Sequence, residues 1–126
     1  NLVQKYKIDG KITTNTTISR PQALMNEDKD EEGGISGQPL KELSNKVLSF
    51  LSKETNRELL LIGVGGISNA EDVYTKIKLG ASLVQLYTAL TFNGPQMINN
   101  IKKELSLLLQ NDGYKNISDA VGIIHS

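Results

Sequence analysis

Residues 59–88 of this chain read LLLIGVGGISNAEDVYTKIKLGASLVQLYT, and this segment decides the fold. It begins with a continuous apolar run, 59–62, which is typical of a parallel strand that is buried on both faces. A glycine turn formed by Gly63, Gly65 and Gly66 follows at once. Glycine permits a positive φ and lets the backbone approach a bound group closely, so this turn is a candidate binding element.

A helix and a second strand complete the segment. Ser68 stands three residues before Glu71, which is the spacing of a capping box, and the helix is therefore predicted to begin near Asn69. Gly80 is predicted to end the helix, because glycine is the residue most often found just beyond a helix C-terminus. Residues 81–86 are then predicted to form the second buried strand.

The glycine turn and the Tyr87-Thr88 step after the second strand together predict a phosphate site. Unpaired backbone amides at a turn and at a helix start attract anions, most often a phosphate. In a (β/α)8 barrel, the loops after the seventh and eighth strands frequently form such a site. We therefore interpret the segment as the part of the chain that holds the phosphate of a nucleotide-like cofactor.

The composition excludes several classes of function. Among 126 residues, 14 Lys and Arg balance 14 Asp and Glu, so the basic excess of a nucleic-acid-binding protein is lacking. The chain has no cysteine, and disulfides and thiolate metal sites are therefore excluded. His125 is the single histidine, so neither a histidine metal cluster nor a Ser-His-Asp triad is expected. No apolar segment reaches the roughly 18 residues needed to span a bilayer.

The N-terminal part predicts a short strand that ends in a polar cluster. Residues 1–6 have the pattern of the last turn of a helix, and residues 11–14 follow an Asp-Gly turn as a strand. Two interpretations of the cluster remain open: a polar strand end with capping side chains, or a row of hydroxyls and one carboxamide facing a pocket. Asn15 offers both a donor and an acceptor, which suits the imide edge of a pyrimidine. The cluster comprises Thr13, Thr14, Asn15, Thr16 and Thr17.

Residues 19–37 are predicted to form a loop. Its acidic run, 26–32, favours a solvated conformation. Its glycine-rich end, 33–37, is either a turn before a helix or a loop that passes close to a flat ligand, where a side chain would obstruct the approach.

Two further helices are predicted from apolar residues at helical spacing. Pro39 opens the first, and Pro95 opens the second, which is predicted to extend to about residue 110 and to end by Gly113. Residues 118–121 are predicted to form one short final turn. The predicted buried stripe of the first helix comprises Leu40, Leu43, Val47, Leu48 and Leu51. That of the second comprises Met97, Ile98, Ile101, Leu105 and Leu108. Phe92, Met97 and Tyr114 are interpreted as packing residues rather than as a cofactor box.

Alternation of strands with helices predicts an α/β fold in which helices cover a parallel sheet. Only three strands are visible, whereas a closed barrel of this type has eight strands and about 250 residues. Three strands would leave an edge of the sheet open and its inner face without a partner. We therefore expect residues 1–126 to be an incomplete domain, the C-terminal portion of a (β/α)8 TIM barrel.

Four motifs in this chain carry a family resemblance: ITTNTT, GGISGQPL, GVGGIS and GASLVQLYTALTFNGP, in this order. Together they resemble the C-terminal part of dihydroorotate dehydrogenase, in its membrane-associated, quinone-dependent class. The resemblance extends over residues 7–122. Many phosphate-binding barrels share GVGGI with a later GAS, whereas TNTT followed by GGxSGxPL and LYTAL is specific in combination.

The resemblance implies a barrel with FMN at the C-terminal ends of its strands. It assigns Thr14 and Gly37 to contacts with the flavin, and Asn15 and Thr16 to orotate or dihydroorotate. It assigns Gly66, Tyr87 and Thr88 to the FMN phosphate. No metal is implied.

The implied activity is oxidation of dihydroorotate to orotate with FMN and a quinone acceptor, in de novo pyrimidine (UMP) biosynthesis. The family's catalytic base is a serine of an earlier part of the barrel, so no catalytic residue is expected here, and Ser36 does not match it. Residues 87–95 would form one wall of the quinone tunnel. The partners implied are the upstream barrel and a membrane-associated N-terminal region, at the mitochondrial inner membrane in a eukaryote. Two alternatives remain: another FMN- or phosphate-binding barrel, or a non-catalytic fragment when the chain is isolated.

Overall fold

The computed structural model describes residues 2–20 and 31–125. The chain forms α1 (Leu2–Tyr6), β1 (Gly10–Thr13), a 3-10 turn (Gln38–Leu40), α2 (Lys41–Glu54), β2 (Leu60–Val64), α3 (Ala70–Lys78), β3 (Leu83–Gln85), α4 (Thr88–Asn93) and α5 (Gln96–Asn111). Two 3-10 turns, Ile117–Ala120 and Ile123–His125, follow. Most of the predicted acidic loop lies outside the described residues.

The three strands form one parallel sheet in the order β1-β2-β3. Ile12 pairs with Ile62, which pairs in turn with Leu83, so these three side chains share one face. The predicted parallel α/β arrangement is confirmed. Within the described residues, no helix has the length and apolar character that crossing a bilayer demands.

One face of the sheet carries the core, and the other is open. Leu61 of β2 is buried against α2 and α3 together with Leu48, Val73 and Ile77. On the opposite face, Leu83 is 57% exposed. Leu60 of β2 is 43% exposed on the same face. The prediction that residues 59–62 form a strand buried on both faces, and 81–86 a buried strand, is therefore wrong for this chain, because the described helices cover one side of the sheet.

The glycine turn begins later than predicted, because Gly63 belongs to β2. A Cβ at this position would lie 3.1 Å from Lys76 Cδ and 3.4 Å from Leu48 Cδ2, so the missing side chain lets both helices pack closely on the strand. The turn itself consists of Gly65 and Gly66, whose φ angles are +105° and +70°.

The start of α3 differs from the predicted capping box. Asn69 is the N-cap, and its Oδ1 accepts a hydrogen bond of 2.8 Å from the Asp72 N–H. Ser68 instead donates its N–H and its hydroxyl to Asp72 Oδ2, each at 2.9 Å. Asn69 takes the cap because it is the last extended residue before the helix. The predicted end is confirmed at Gly80, where φ is +115°.

Three predicted packing residues lie at the surface. Leu43 and Ile98 are exposed, and Phe92 is 83% exposed. The buried face of α2 instead carries Ser44 and Ser52, whose small side chains pack beside Gly65 and Gly80. Helix α4 was not predicted, because TALTFN follows the strand directly without a recognisable capping residue.

Candidate functional site

A pocket of about 310 Å³ lies where the carboxyl ends of the three strands meet. Residues that follow each strand line it, in the segments 14–16, 64–67 and 86–89, and residues 36 and 37 close one side. All the predicted site residues are among its lining: Thr14, Asn15, Thr16, Gly37, Gly66, Tyr87 and Thr88. Among residues 2–20 and 31–125, none that lines the pocket is acidic, so an anion meets no carboxylate from these residues.

The Gly65-Gly66 turn presents its backbone to the pocket. In the described part of the chain, the N–H groups of both glycines donate to no protein oxygen. A Cβ on Gly66 would lie 2.6 Å from Lys41 N and 2.5 Å from Lys41 Cβ, so the turn is pressed against the first residue of α2. The absence of a side chain at position 66 therefore lets the turn pack closely against α2.

The Tyr87-Thr88 step forms a second corner of the pocket. The Thr88 hydroxyl donates to Ser36 Oγ at 2.9 Å, which connects this corner to the glycine-rich loop. A Cβ on Gly37 would lie 3.2 Å from Thr88 Cγ2, so the two segments are also in close steric contact. The backbone N–H of Thr88 has no protein acceptor within residues 31–125.

The polar cluster after β1 forms the third side. Thr14 N–H donates to the Val64 carbonyl at 3.2 Å and so extends the sheet by one bond. Asn15 Oδ1 accepts from the Thr16 N–H at 2.7 Å. This bond orients the Asn15 carboxamide and uses its oxygen, not its NH2 group.

The glycine-rich loop, residues 33–37, is hydrogen-bonded to the polar cluster 13–17. Thr17 and Ile35 exchange two backbone hydrogen bonds, of 3.1 and 2.8 Å. The Arg20 guanidinium donates to the carbonyls of Glu31 and Gly33 at 2.7 and 2.9 Å. Residues 33–37 lead directly into the 3-10 turn Gln38–Leu40 and α2, as the first interpretation predicted, and Ser36 and Gly37 also line the pocket. The approach of a flat ligand to this loop stays a prediction.

Behind the glycine turn lies a buried carboxylate that the sequence analysis missed. Asp72 is 2% exposed, pairs with the Lys41 ammonium and accepts two hydrogen bonds from Ser68. Burial acts to raise the pKa of Asp72, but the hydrogen bonds from Lys41, Ser68 and Gln38 outweigh it, and the pKa is lowered. The carboxylate is therefore a stable anion beside the turn.

A buried lysine forms the second part of this polar layer. Lys76 is 1% exposed, and its ammonium donates to Ser44 Oγ at 2.8 Å and to Asn45 Oδ1 at 2.9 Å. Ser44 in turn donates to the Val64 carbonyl at 2.5 Å, the same carbonyl that Thr14 binds. Burial lowers the pKa of Lys76 to about 8. The four-residue spacing of Asp72 and Lys76 places them on one helix face, which is the signal that sequence reasoning could have used.

The arrangement suits a ligand with an anionic end and a flat ring. Unpaired amides at the Gly65-Gly66 turn and at Thr88 can receive the anion, while Ile67 and Leu86 supply apolar lining beside them. The described residues contain no group of three or more His, Cys, Asp or Glu that could hold a metal ion. Fold and pocket together define an α/β protein with a candidate ligand pocket at the carboxyl ends of its parallel strands.

Comparison with known proteins then specifies the family. A family model described as dihydroorotate dehydrogenase matches residues 1–109. The mitochondrial dihydroorotate dehydrogenase (quinone) of Mus musculus is 45% identical over 99% of this chain and 32% of its own length. The dihydroorotate dehydrogenase (quinone) of Xanthobacter autotrophicus is 48% identical over 92% of this chain and 32% of its own length.

Solved structures agree with the sequence comparison. The crystal structure of dihydroorotate dehydrogenase from Eimeria tenella in complex with ferulenol superposes with a TM-score of 0.95 at 42% identity. It matches 98% of this chain, which covers 33% of that structure. The chain belongs to the dihydroorotate dehydrogenase family, and the predicted resemblance is confirmed. It spans about a third of the length of the relatives it matches.

Proposed function

We propose that this chain contributes the FMN-phosphate site and part of the pyrimidine site of a quinone-dependent dihydroorotate dehydrogenase. One observation carries the proposal. Segments 14–16, 36–37, 64–67 and 86–89 are far apart in sequence, yet they line one pocket. These are the segments in which the family resemblance locates the cofactor and substrate contacts.

The domain is completed by further strands. The face of the sheet that carries Ile12 and Leu83 is exposed, and β1 and β3 are its two edges. Exposed apolar strand faces and open edges are stable in a protein when more of the fold covers them. A (β/α)8 barrel accounts for both, because its interior is filled by side chains from all its strands.

The residues of the pocket fit FMN. Gly66, Tyr87 and Thr88 hold the phosphate through backbone N–H groups, while Thr14 and Gly37 lie beside the flavin ring. When bound, FMN supplies the oxidising group for the conversion of dihydroorotate to orotate. The unpaired amides at both corners are the donor set that a phosphate requires.

Asn15 and Thr16 orient the pyrimidine. The carboxamide of Asn15 is already directed by the Thr16 N–H, so its NH2 group and its remaining oxygen lone pair can bind the imide edge of the ring. Holding the reacting carbon at a fixed position accounts for a large share of the rate enhancement in such reactions. Ser36 accepts a hydrogen bond from Thr88 and is a loop contact, and the catalytic base belongs to another part of the protein.

The electron acceptor is a quinone. Tyr87 and Phe92 are 80% and 83% exposed, so the segment 87–95 presents aromatic surface that can form one wall of an apolar tunnel. The relatives from Mus musculus and Arabidopsis thaliana are named as mitochondrial. For this protein we propose the same location if its source is eukaryotic, with membrane association through an N-terminal region outside these residues.

The test is Asn15→Ala in the complete protein that carries this chain. Turnover should fall on the order of a hundredfold and pyrimidine affinity should weaken, because a buried polar contact to the ring is lost. FMN content, measured from flavin absorbance, should stay at the wild-type level. Dihydroorotate should bleach the wild-type flavin, and added quinone should restore its absorbance.

Asn100→Ala on the exposed side of α5 is the matched control, and it should change neither quantity. Loss of flavin from Asn15→Ala with unchanged pyrimidine affinity would show that Asn15 has been assigned to the wrong ligand. A wild-type protein that neither retains FMN nor oxidises dihydroorotate would refute the proposed function itself.

A further inference from the structure

We propose that Gln38 is a positioning residue of the FMN-phosphate site, which fixes the Gly65-Gly66 turn at a set distance from the Gly37 loop. The inference rests on the proposed function and adds to it a residue outside the pocket lining. Gln38 does not contact the pocket. It acts through the residues that do.

The side-chain NH2 group of Gln38 has two hydrogens to donate and lies within hydrogen-bonding distance of three acceptors on the opposite segment. Nε2 lies 3.3 Å from the Gly66 carbonyl, 2.5 Å from Ser68 Oγ and 3.2 Å from Asp72 Oδ2. The backbone of Gln38 meanwhile follows directly on Gly37, which lines the pocket from the other side. One side chain therefore bridges two pocket-forming segments that are 28 residues apart in sequence.

The far end of this bridge is rigid. Asp72 is buried at the start of α3, is paired with Lys41 of α2, and accepts the N–H and hydroxyl of Ser68. Ser68 comes two residues after Gly66, so the carboxylate holds the chain just beyond the turn. Gln38 uses this anchored carboxylate and the turn carbonyl at once, and the turn can shift only if these bonds break.

The bridge depends on hydrogen-bond donation. The Gly66 carbonyl and the Asp72 carboxylate are pure acceptors, and hydrogen bonds to a charged group are stronger than neutral ones. Glutamate at position 38 would bring a negative carboxylate next to the negative Asp72 side chain and the partially negative oxygen of the Gly66 carbonyl, so it would be repelled by both. An aliphatic side chain of the same size would keep the packing but lose the bridge.

The experiment compares Gln38→Leu, Gln38→Glu and Gln38→Lys in the complete protein. FMN is removed and retitrated, with flavin fluorescence as the readout. We expect the FMN Kd to rise about tenfold for Gln38→Leu, which corresponds to about 1.4 kcal/mol, and further for Gln38→Glu. Gln38→Lys retains a donor and should bind FMN within about threefold of wild type. The matched control pair, Gln110→Leu and Gln110→Glu at the exposed end of α5, should leave the Kd unchanged.

Amide hydrogen exchange of the apoprotein is the second readout. Residues 65–68 should exchange faster in Gln38→Leu than in wild type, while β3 should be unchanged, which a general loss of stability would not produce. Equal FMN affinity in wild type, Gln38→Leu and Gln38→Glu would overturn the positioning role. Equal weakening by all three substitutions would overturn it too, because donation would then be irrelevant. A wild-type protein without FMN affinity would instead refute the proposed function.

Discussion

We expect Gly66→Ala to destabilise the protein and to weaken FMN binding more than Gly113→Ala does. The two glycines have similar φ angles, but only Gly66 is closely packed. Gly66 has φ +70°, and its missing Cβ would lie 2.5 Å from Lys41 Cβ and 2.6 Å from Lys41 N. Gly113 has φ +80°, and nothing lies within 4 Å of its missing Cβ. The two variants therefore share the backbone strain and differ in the overlap.

The two terms can be estimated separately. An alanine in a left-handed conformation costs about 1 kcal/mol, and this applies to both positions. Nonbonded carbons normally stay about 3.5–4.0 Å apart, so an overlap of about 1 Å with the Lys41 backbone must be relieved by moving the turn or α2. Overpacking of this kind costs roughly 1–3 kcal/mol. Gly66→Ala should therefore lose roughly 2–4 kcal/mol in total.

Two assays on the complete protein separate these outcomes. Denaturant unfolding should give about 1 kcal/mol of destabilisation for Gly113→Ala and a clearly larger value for Gly66→Ala. The FMN Kd should rise at least about tenfold for Gly66→Ala, since a turn displaced by about 1 Å misplaces its N–H groups, and should not change for Gly113→Ala. Equal destabilisation by the two variants, with normal FMN binding in both, would refute the reasoning.

Two further substitutions test the helices behind the pocket. Burial lowers the pKa of Lys76 to about 8; the charge of Asp72 acts to raise this pKa and the charge of Lys41 acts to lower it. Between pH 8 and 10.5, the ordinary pKa of a lysine, the folded protein therefore binds fewer protons than the unfolded chain. Stability should therefore rise with pH in this window, and Lys76→Met should remove on the order of 2 kcal/mol of that rise after discounting for solvent screening. Parallel pH profiles of wild type and variant would contradict the buried position of the ammonium. Tyr74→Phe removes a hydroxyl that donates to Asp112 at 2.5 Å, and unfolding should show a loss of about 1–2 kcal/mol with FMN affinity retained. An unchanged stability would mean that this bond makes no net contribution.

Much of the fold follows from short-range patterns. The apolar run before Gly65, the glycine at position 80 and the proline at position 39 predicted where strands, helices and turns occur, because these signals act within a few residues. The parallel sheet followed from the alternation of strands with helices. The glycine turn was predicted as a phosphate site from its own residues, whereas the family resemblance assigned Asn15, Thr16 and Gly37 to the site.

The prediction of burial was less successful, because burial depends on what lies across a face. Leu83 has the sequence of a buried strand residue, yet it is exposed in this chain. Phe92 and Ile98 likewise fit a packing pattern and lie at the surface. Helical or strand periodicity predicts which face of an element is apolar, but it does not predict whether another helix or strand packs against that face.

By itself, the sequence determined a parallel α/β unit and the three segments that carry Asn15, Gly66 and Thr88. The burial of Asp72 and Lys76 beneath these segments, and the contact of Gln38 with a carboxylate 34 residues away, depend on the packing of the folded chain. Local patterns fix turns and the faces of helices, whereas a charged side chain is buried only where the packing of α2 against the sheet and α3 brings its partners within hydrogen-bonding distance.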